Sequence, residues 1–321
     1  MMSNCMLPGF APDEPDYSRD YVFSSLTYEI ENPRSPLRRY FDCLVQDLRG
    51  LQREYRSTAG SMLVKWSGVN AGTLGAAFDF VIRFRIDSAY DAEVARYAFT
   101  ARPHALGGVD AVIRRAQIAA AEHAWDELYA ACWALALFTE VYRVGLAEGS
   151  PLRGFLGDTG VDVSGVLAST PAEALVELAD LRALAETRLL PSIEGPSHLG
   201  PTFSGSEFCR ADADLVDSGC LLELKTTVGV RNSPMRPFYD PLPNTVVFQL
   251  LGYALFDLDN RYGIERLGIY SSRYGHLTTW QLADFLERIA CRPVDIEEER
   301  ARIRYLLSGQ VLDAERNRGR S

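Results

Sequence analysis

The sequence predicts an α/β protein: a mixed sheet flanked by helices, preceded by a mostly helical first half. Three observations carry this. Helical-period apolar spacing dominates from about 37 to 145. After Pro191 short apolar runs separated by turn residues replace it. From Asn244 helical spacing returns, interleaved with two more strand-like runs.

Residues 1–20 read as loose. Ser35-Pro36 opens a helix, with serine as N-cap and proline at the first helical position. From Leu37 to Arg56, Tyr40, Phe41, Leu44, Leu48 and Leu51 then fall on one face. Gly72 to Ile86 fits either a helix or a buried strand pair. Gly108 to Gly145 is strongly helical, and the glycine-rich stretch Gly145 to Gly165 reads as a connector. Thr170-Pro171 opens a helix running to about Leu190, with Leu175, Leu178, Leu181 and Leu184 inward. Residues 200–208, 211–217 and 220–227 read as strands, with Ser218-Gly219 as the tightest turn. Four prolines and a glycine make 228–243 a loop. Asn244 to Leu258 is a helix, Leu267 to Ser272 a strand, and His276 to Trp280 a further strand. Helices at Gln281 to Ala290 and Asp295 to Leu307 close the pattern, and residues 309–321 form an arginine-rich, disordered tail. The expected division is 1–165, a helical domain that clamps substrate or binds a protein partner, and 166–321, the sheet-bearing domain.

Composition narrows the function classes. A hydrophobic fraction of 47% and a charged fraction of 24% are those of an ordinary globular protein. No apolar run approaches the ~20 residues that span a bilayer, so no membrane partner is expected. The first twenty residues lack a basic start and apolar core, unlike a signal peptide. Six cysteines without a Cys-x-x-Cys pair predict reduced thiols and a cytoplasmic location. Four dispersed histidines argue against a histidine-rich metal site. The net charge of −10 argues against a protein coated with nucleic acid, yet leaves room for a local basic groove. Arg210, Arg231, Arg236, Arg261 and Arg273 are candidates for it. Arg83-Phe84-Arg85 reads as a solvated edge rather than a phosphate contact.

Only two of the thirty-three basic residues are lysines, Lys65 and Lys225. Lys225 ends the run Ala211-Asp212-Ala213-Asp214-Leu215-Val216-Asp217-Ser218-Gly219-Cys220-Leu221-Leu222-Glu223-Leu224-Lys225. In a strand, alternate side chains share a face. Glu223 and Lys225 therefore lie together, as do Asp212 and Asp214, with Ala213 and Leu215 opposite them. Pairing through the Ser218-Gly219 turn brings Asp214 against Glu223, with the Leu224 carbonyl close by. Such oxygens suit a hard divalent ion. Four residues apart on the following helix, Gln249 and Tyr253 share a face.

The set Ala-Asp-Ala-Asp, then Leu-Leu-Glu-Leu-Lys-Thr, then Gln-x-x-x-Tyr resembles the PD-(D/E)xK nuclease superfamily, in particular its RecB-type and lambda-exonuclease-like branch. The resemblance covers roughly 170–285. It implies a restriction-endonuclease-like fold: a four-stranded mixed sheet with flanking helices. By the same resemblance Asp214 is the metal-binding aspartate, Glu223 the second carboxylate and Lys225 the catalytic lysine. The Leu224 carbonyl is a further candidate ligand, Asp212 is a helper or second candidate for the aspartate role, and Gln249 and Tyr253 match the helix motif that supports the site or touches the DNA strand. The proline that usually precedes the first aspartate is replaced by Ala213. The family's upstream acid or histidine has four candidates, Glu186, Glu194, Glu207 and His198. The expectation is a Mg²⁺- or Mn²⁺-dependent nuclease acting on DNA, in repair, recombination or phage defence. The alternative is a catalytically silent subunit of the same fold that binds nucleic acid or protein.

Overall fold

The structure, a computed structural model, describes residues 21–146, 148–158, 160–233 and 235–308; the readings of 1–20 and 309–321 lie outside these. Its helices are α1 (Leu26–Glu31), α2 (Pro36–Leu44), α3 (Arg49–Thr58), α4 (Ala71–Ile86), α5 (Pro103–Glu122), α6 (Trp125–Val144), α7 (Val163–Ala168), α8 (Ala172–Arg188), α9 (Asn244–Phe256), α10 (Leu282–Ala290) and α11 (Ile296–Ser308). The strands are β1 (Leu156–Gly157), β2 (Gly160–Val161), β3 (Ser197–Leu199), β4 (Leu215–Asp217), β5 (Cys220–Lys225), β6 (Arg266–Ser271) and β7 (His276–Gln281). No described helix is long and apolar enough to cross a membrane.

Strands β3 to β7 form one five-stranded mixed sheet in sequence order. Only β5 and β6 run parallel, and α9 makes the crossover between them. The sheet separates two apolar cores. The first joins α4, α5, α6 and α8 to Leu215, Cys220, Leu222 and Tyr270 of the sheet. The second joins α1, α2 and α3 to α9, α10, α11 and the opposite sheet face, including Val216, Leu221, Leu267 and Ile269. Each core contains residues from before and after position 165.

Several local expectations change. The stretch Leu37 to Arg56 is two helices, because Val45 turns to an extended conformation and the Gln46 and Asp47 N–H groups donate to the Ile289 carbonyl of α10. All five of its inward residues are nonetheless buried. Gly72 to Ile86 resolves as helix α4. The 200–208 strand is absent: β3 lies earlier, at Ser197–Leu199, and Ser204–Glu207 is a 3-10 turn. Pro201 lacks a donor and Gly200 has φ +65°, so the regular ladder breaks off here and returns only as the isolated Thr202–Asp212 bridge. The predicted 211–217 strand begins only at Leu215. Leu215 joins the first core but Ala213 joins the second, so the alternation expected across 211–217 fails at its start. Cys132, Cys209 and Cys220 are free and buried, and Cys291 is free and exposed.

Candidate functional site

The site forms where the β4–β5 ladder stops. The ladder runs from Asp217↔Cys220 to Leu215↔Leu222, through a turn whose Ser218 and Gly219 have φ of 45° and 72°. One step further Asp214 stands level with Glu223, but off the ladder. Its carboxylate takes the place of a strand: the Leu224 N–H donates to Asp214 Oδ2 at 2.7 Å. The Leu224 carbonyl leaves the strand on the same side as its N–H, so it opens onto the same edge. This is the carboxyl end of the parallel pair, where ligands of α/β sheets commonly bind.

A cavity of about 550 Å³ occupies this position. All seven residues singled out from the sequence line it: Asp212, Asp214, Glu223, Leu224, Lys225, Gln249 and Tyr253. Lys225 Nζ donates to Glu223 Oε1 at 2.7 Å and to Gln249 Oε1 at 3.0 Å. Gln249 Nε2 in turn donates to Tyr253 Oη at 2.6 Å. The i, i+4 spacing on α9 thus serves to fix the ammonium. Asp212 stands apart at the rim, half-exposed, with Arg143 Nη2 3.6 Å away.

None of the four upstream candidates lines this cavity. Glu186 is held by Arg85 and Arg182, His198 is exposed against the Tyr262 ring, Glu194 is exposed, and Glu207 lines a neighbouring cavity. The acid that enters is Asp79 of α4, from the first half of the chain. Helix α4 approaches because Gly75 has no Cβ; one there would lie 2.7 Å from Thr226 Oγ1 at the end of β5. A signal existed in the sequence. Asp79 is the lone acid in the apolar stretch from Leu74 to Ile82, and a carboxylate in an apolar helix is buried only where it has a partner.

That partner is Arg83, one turn on, which is buried rather than a solvated edge. It reaches Asp79 through Nε (2.9 Å) and Nη2 (2.7 Å), and Nη2 also lies 3.7 Å from Asp214 Oδ1. Among the groove candidates, Arg210 lines the cavity and Arg261 its neighbour, while Arg231 lies over the Phe238 ring. Arg273 is fully buried and salt-bridged to Glu177, so it is a structural residue and cannot meet a phosphate.

Negative charge in the cavity exceeds what its surroundings support. Burial, then the nearby Asp214, push Glu223 up to about 8 despite Lys225. Burial likewise pushes Asp79 up to about 7, with Arg83 opposing and Asp214 reinforcing it. Burial pulls Lys225 down, but Glu223 and Asp214 outweigh it and hold it above its ordinary value. Glu223 Oε2 is buried with no hydrogen-bond partner. An unpartnered buried carboxylate oxygen is costly, and a divalent cation would relieve it. The donor chemistry of Asp214, Glu223 and the Leu224 carbonyl fits such an ion. The oxygens are not yet gathered round one point: among the described residues no group of three or more His, Cys, Asp or Glu side chains is placed to hold a metal. Asp79 is turned to Arg83, and Asp214 spends one oxygen on the Leu224 N–H.

A pH dependence follows. The folded-state proton affinity of Glu223 and Asp79 lies above the ordinary carboxylate values of 4.5 and 3.8. The folded state therefore binds more protons than the unfolded one in this window, and stability falls as pH rises. In metal-free buffer the melting temperature should drop between about pH 4.5 and 8. Glu223→Gln should flatten that drop, as scanning fluorimetry of the two proteins would record. An identical slope in both would show that Glu223 is not the group responsible.

A scan against family models finds no match to this chain. Searches of curated proteins and of solved structures find no similar protein either.

Proposed function

We propose that the protein is a metal-dependent nuclease that hydrolyses phosphodiester bonds of DNA, on a sheet of the restriction-endonuclease-like kind. The observation that carries this reading is the buried Glu223 carboxylate. It has one oxygen on Lys225 and the other unpartnered, in a cavity shared with Asp214 and Asp79. Asp214, Glu223 and the Leu224 carbonyl would hold a Mg²⁺ or Mn²⁺ ion. Bound there, the ion would supply an acidified water and neutralise the phosphate. Lys225 provides a fixed ammonium at the same point, able to orient that water and to balance charge building on the phosphoryl oxygens. Gln249 and Tyr253 keep Lys225 in a single position, and Arg210 and Arg143 at the cavity wall suit the flanking phosphates.

A second reading has its own support. Arg83 already neutralises Asp79 and approaches Asp214, which suits a catalytically silent subunit that binds nucleic acid or protein without a metal. A cleavage panel separates the two. It comprises circular, linear double-stranded and single-stranded DNA and RNA, with Mg²⁺, Mn²⁺ or EDTA. Metal-dependent loss of any DNA substrate is the expected result, and nicking of the circle would identify an endonuclease. Binding of DNA with no cleavage in either metal would favour the silent subunit.

A further inference from the structure

Arg83 occupies a built seat. Its side chain is 5% exposed. Nε and Nη2 hold Asp79, and Nη1 donates to Tyr90 Oη at 2.8 Å. The loop over it makes room: Gly200 has φ +65°, and a Cβ there would lie 2.3 Å from Arg83 Nη1. The same loop is tied to the site, since the Gly200 N–H donates to the Asp214 carbonyl at 3.0 Å. One guanidinium is thus anchored firmly on Asp79 and reaches Asp214 more loosely, at 3.7 Å. A divalent cation drawn to Asp214 and Glu223 meets a positive charge that already has a claim on one of them, Asp214. In a partly buried site, like charges a few ångströms apart are screened less than at the open surface.

We infer that Arg83 is an internal cation that competes with the divalent ion and sets the affinity of the site for it. The inference rests on the metal-binding reading above. Asp79 remains with Arg83, and Asp214 is the carboxylate that changes partner. The site is consequently tuned to bind its ion weakly when the ion is alone. Coulomb attraction from a polyanionic substrate, which would draw Arg83 outward or add ligands, would complete it.

The test is calorimetric titration of the whole protein with MnCl₂, without nucleic acid, at a pH above 8. Wild type is compared with Arg83→Gln and with Tyr90→Phe, which frees Nη1 but leaves every charge in place. Removing the guanidinium should tighten Mn²⁺ binding at least tenfold, and Tyr90→Phe should tighten it by a smaller factor. Should Arg83→Gln fail to fold, Tyr90→Phe carries the comparison. Binding of Mn²⁺ by a variant and not by wild type would also support the competing role, while counting against the metal-dependent nuclease. Equal or weaker binding in the variants, with clear binding to wild type, would overturn the role of Arg83 and leave the nuclease reading standing. Absence of binding in all three proteins would overturn both.

Discussion

Lys225→Ala should abolish metal-dependent DNA cleavage, lowering the rate by roughly two to three orders of magnitude while the protein stays folded. The size follows from what the ammonium does. It is a preorganised charge in a half-buried site, and deleting one such group from a reaction centre typically costs about 10²–10³ in rate. Retention of the fold is expected because Nζ bonds only to Glu223 and Gln249, not to the core. Lys225→Arg should not rescue the activity. The planar guanidinium cannot reproduce a compact ammonium held between one carboxylate and one amide. Asp214→Ala should be equally inactive for a different reason, losing both a metal oxygen and the acceptor of the Leu224 N–H. Circular dichroism and a cleavage time course on the same preparations would check all three. Wild-type rates in both alanine variants would dismiss the nuclease reading.

The largest loss of stability is expected at Glu177→Ala. Arg273 is completely buried, and Glu177 nearly so. The guanidinium donates to Glu177 Oε1 and to the carbonyls of Thr226 and Val64, while Glu177 Oε2 accepts the Ser67 N–H. Removing the carboxylate strands a buried positive charge, at a cost of about 3–5 kcal/mol. Urea unfolding monitored by tryptophan fluorescence would measure this as a lower midpoint at constant slope. Exchanging both partners for apolar residues should recover much of the loss, because no unpaired charge would then remain buried. A change under 1 kcal/mol in the single variant would show that water reaches Arg273.

These two residues also mark where the sequence was and was not legible. Glu223, Lys225, Gln249 and Tyr253 could be brought together from sequence because each relation is local. A pleat places two of them on one face, and a helical turn places the other two. Asp214 required only a tight turn. Asp79 and Arg83 are contributed by a helix 135 and 131 residues upstream of Asp214, and no periodicity expresses that proximity. Arg273 misled for the opposite reason. Its nearness in sequence to the motif suggested a phosphate ligand, but its partner Glu177 lies 96 residues away on α8. The β3 segment was misplaced because Gly200 and Pro201 end the ladder just where the expected strand was placed to begin.

The core that joins α1–α3 to α9–α11 has a consequence for synthesis. Tyr40 hydrogen-bonds to Glu299, and Ile303, Leu306 and Leu307 complete that core. On the ribosome the early helices must wait for the sheet and for α9 to α11 before their apolar faces are fully covered. Domains generally fold as units once their contacts are available. The cavity that α1 helps to wall therefore takes shape only after α9, which lines its far side, has joined it.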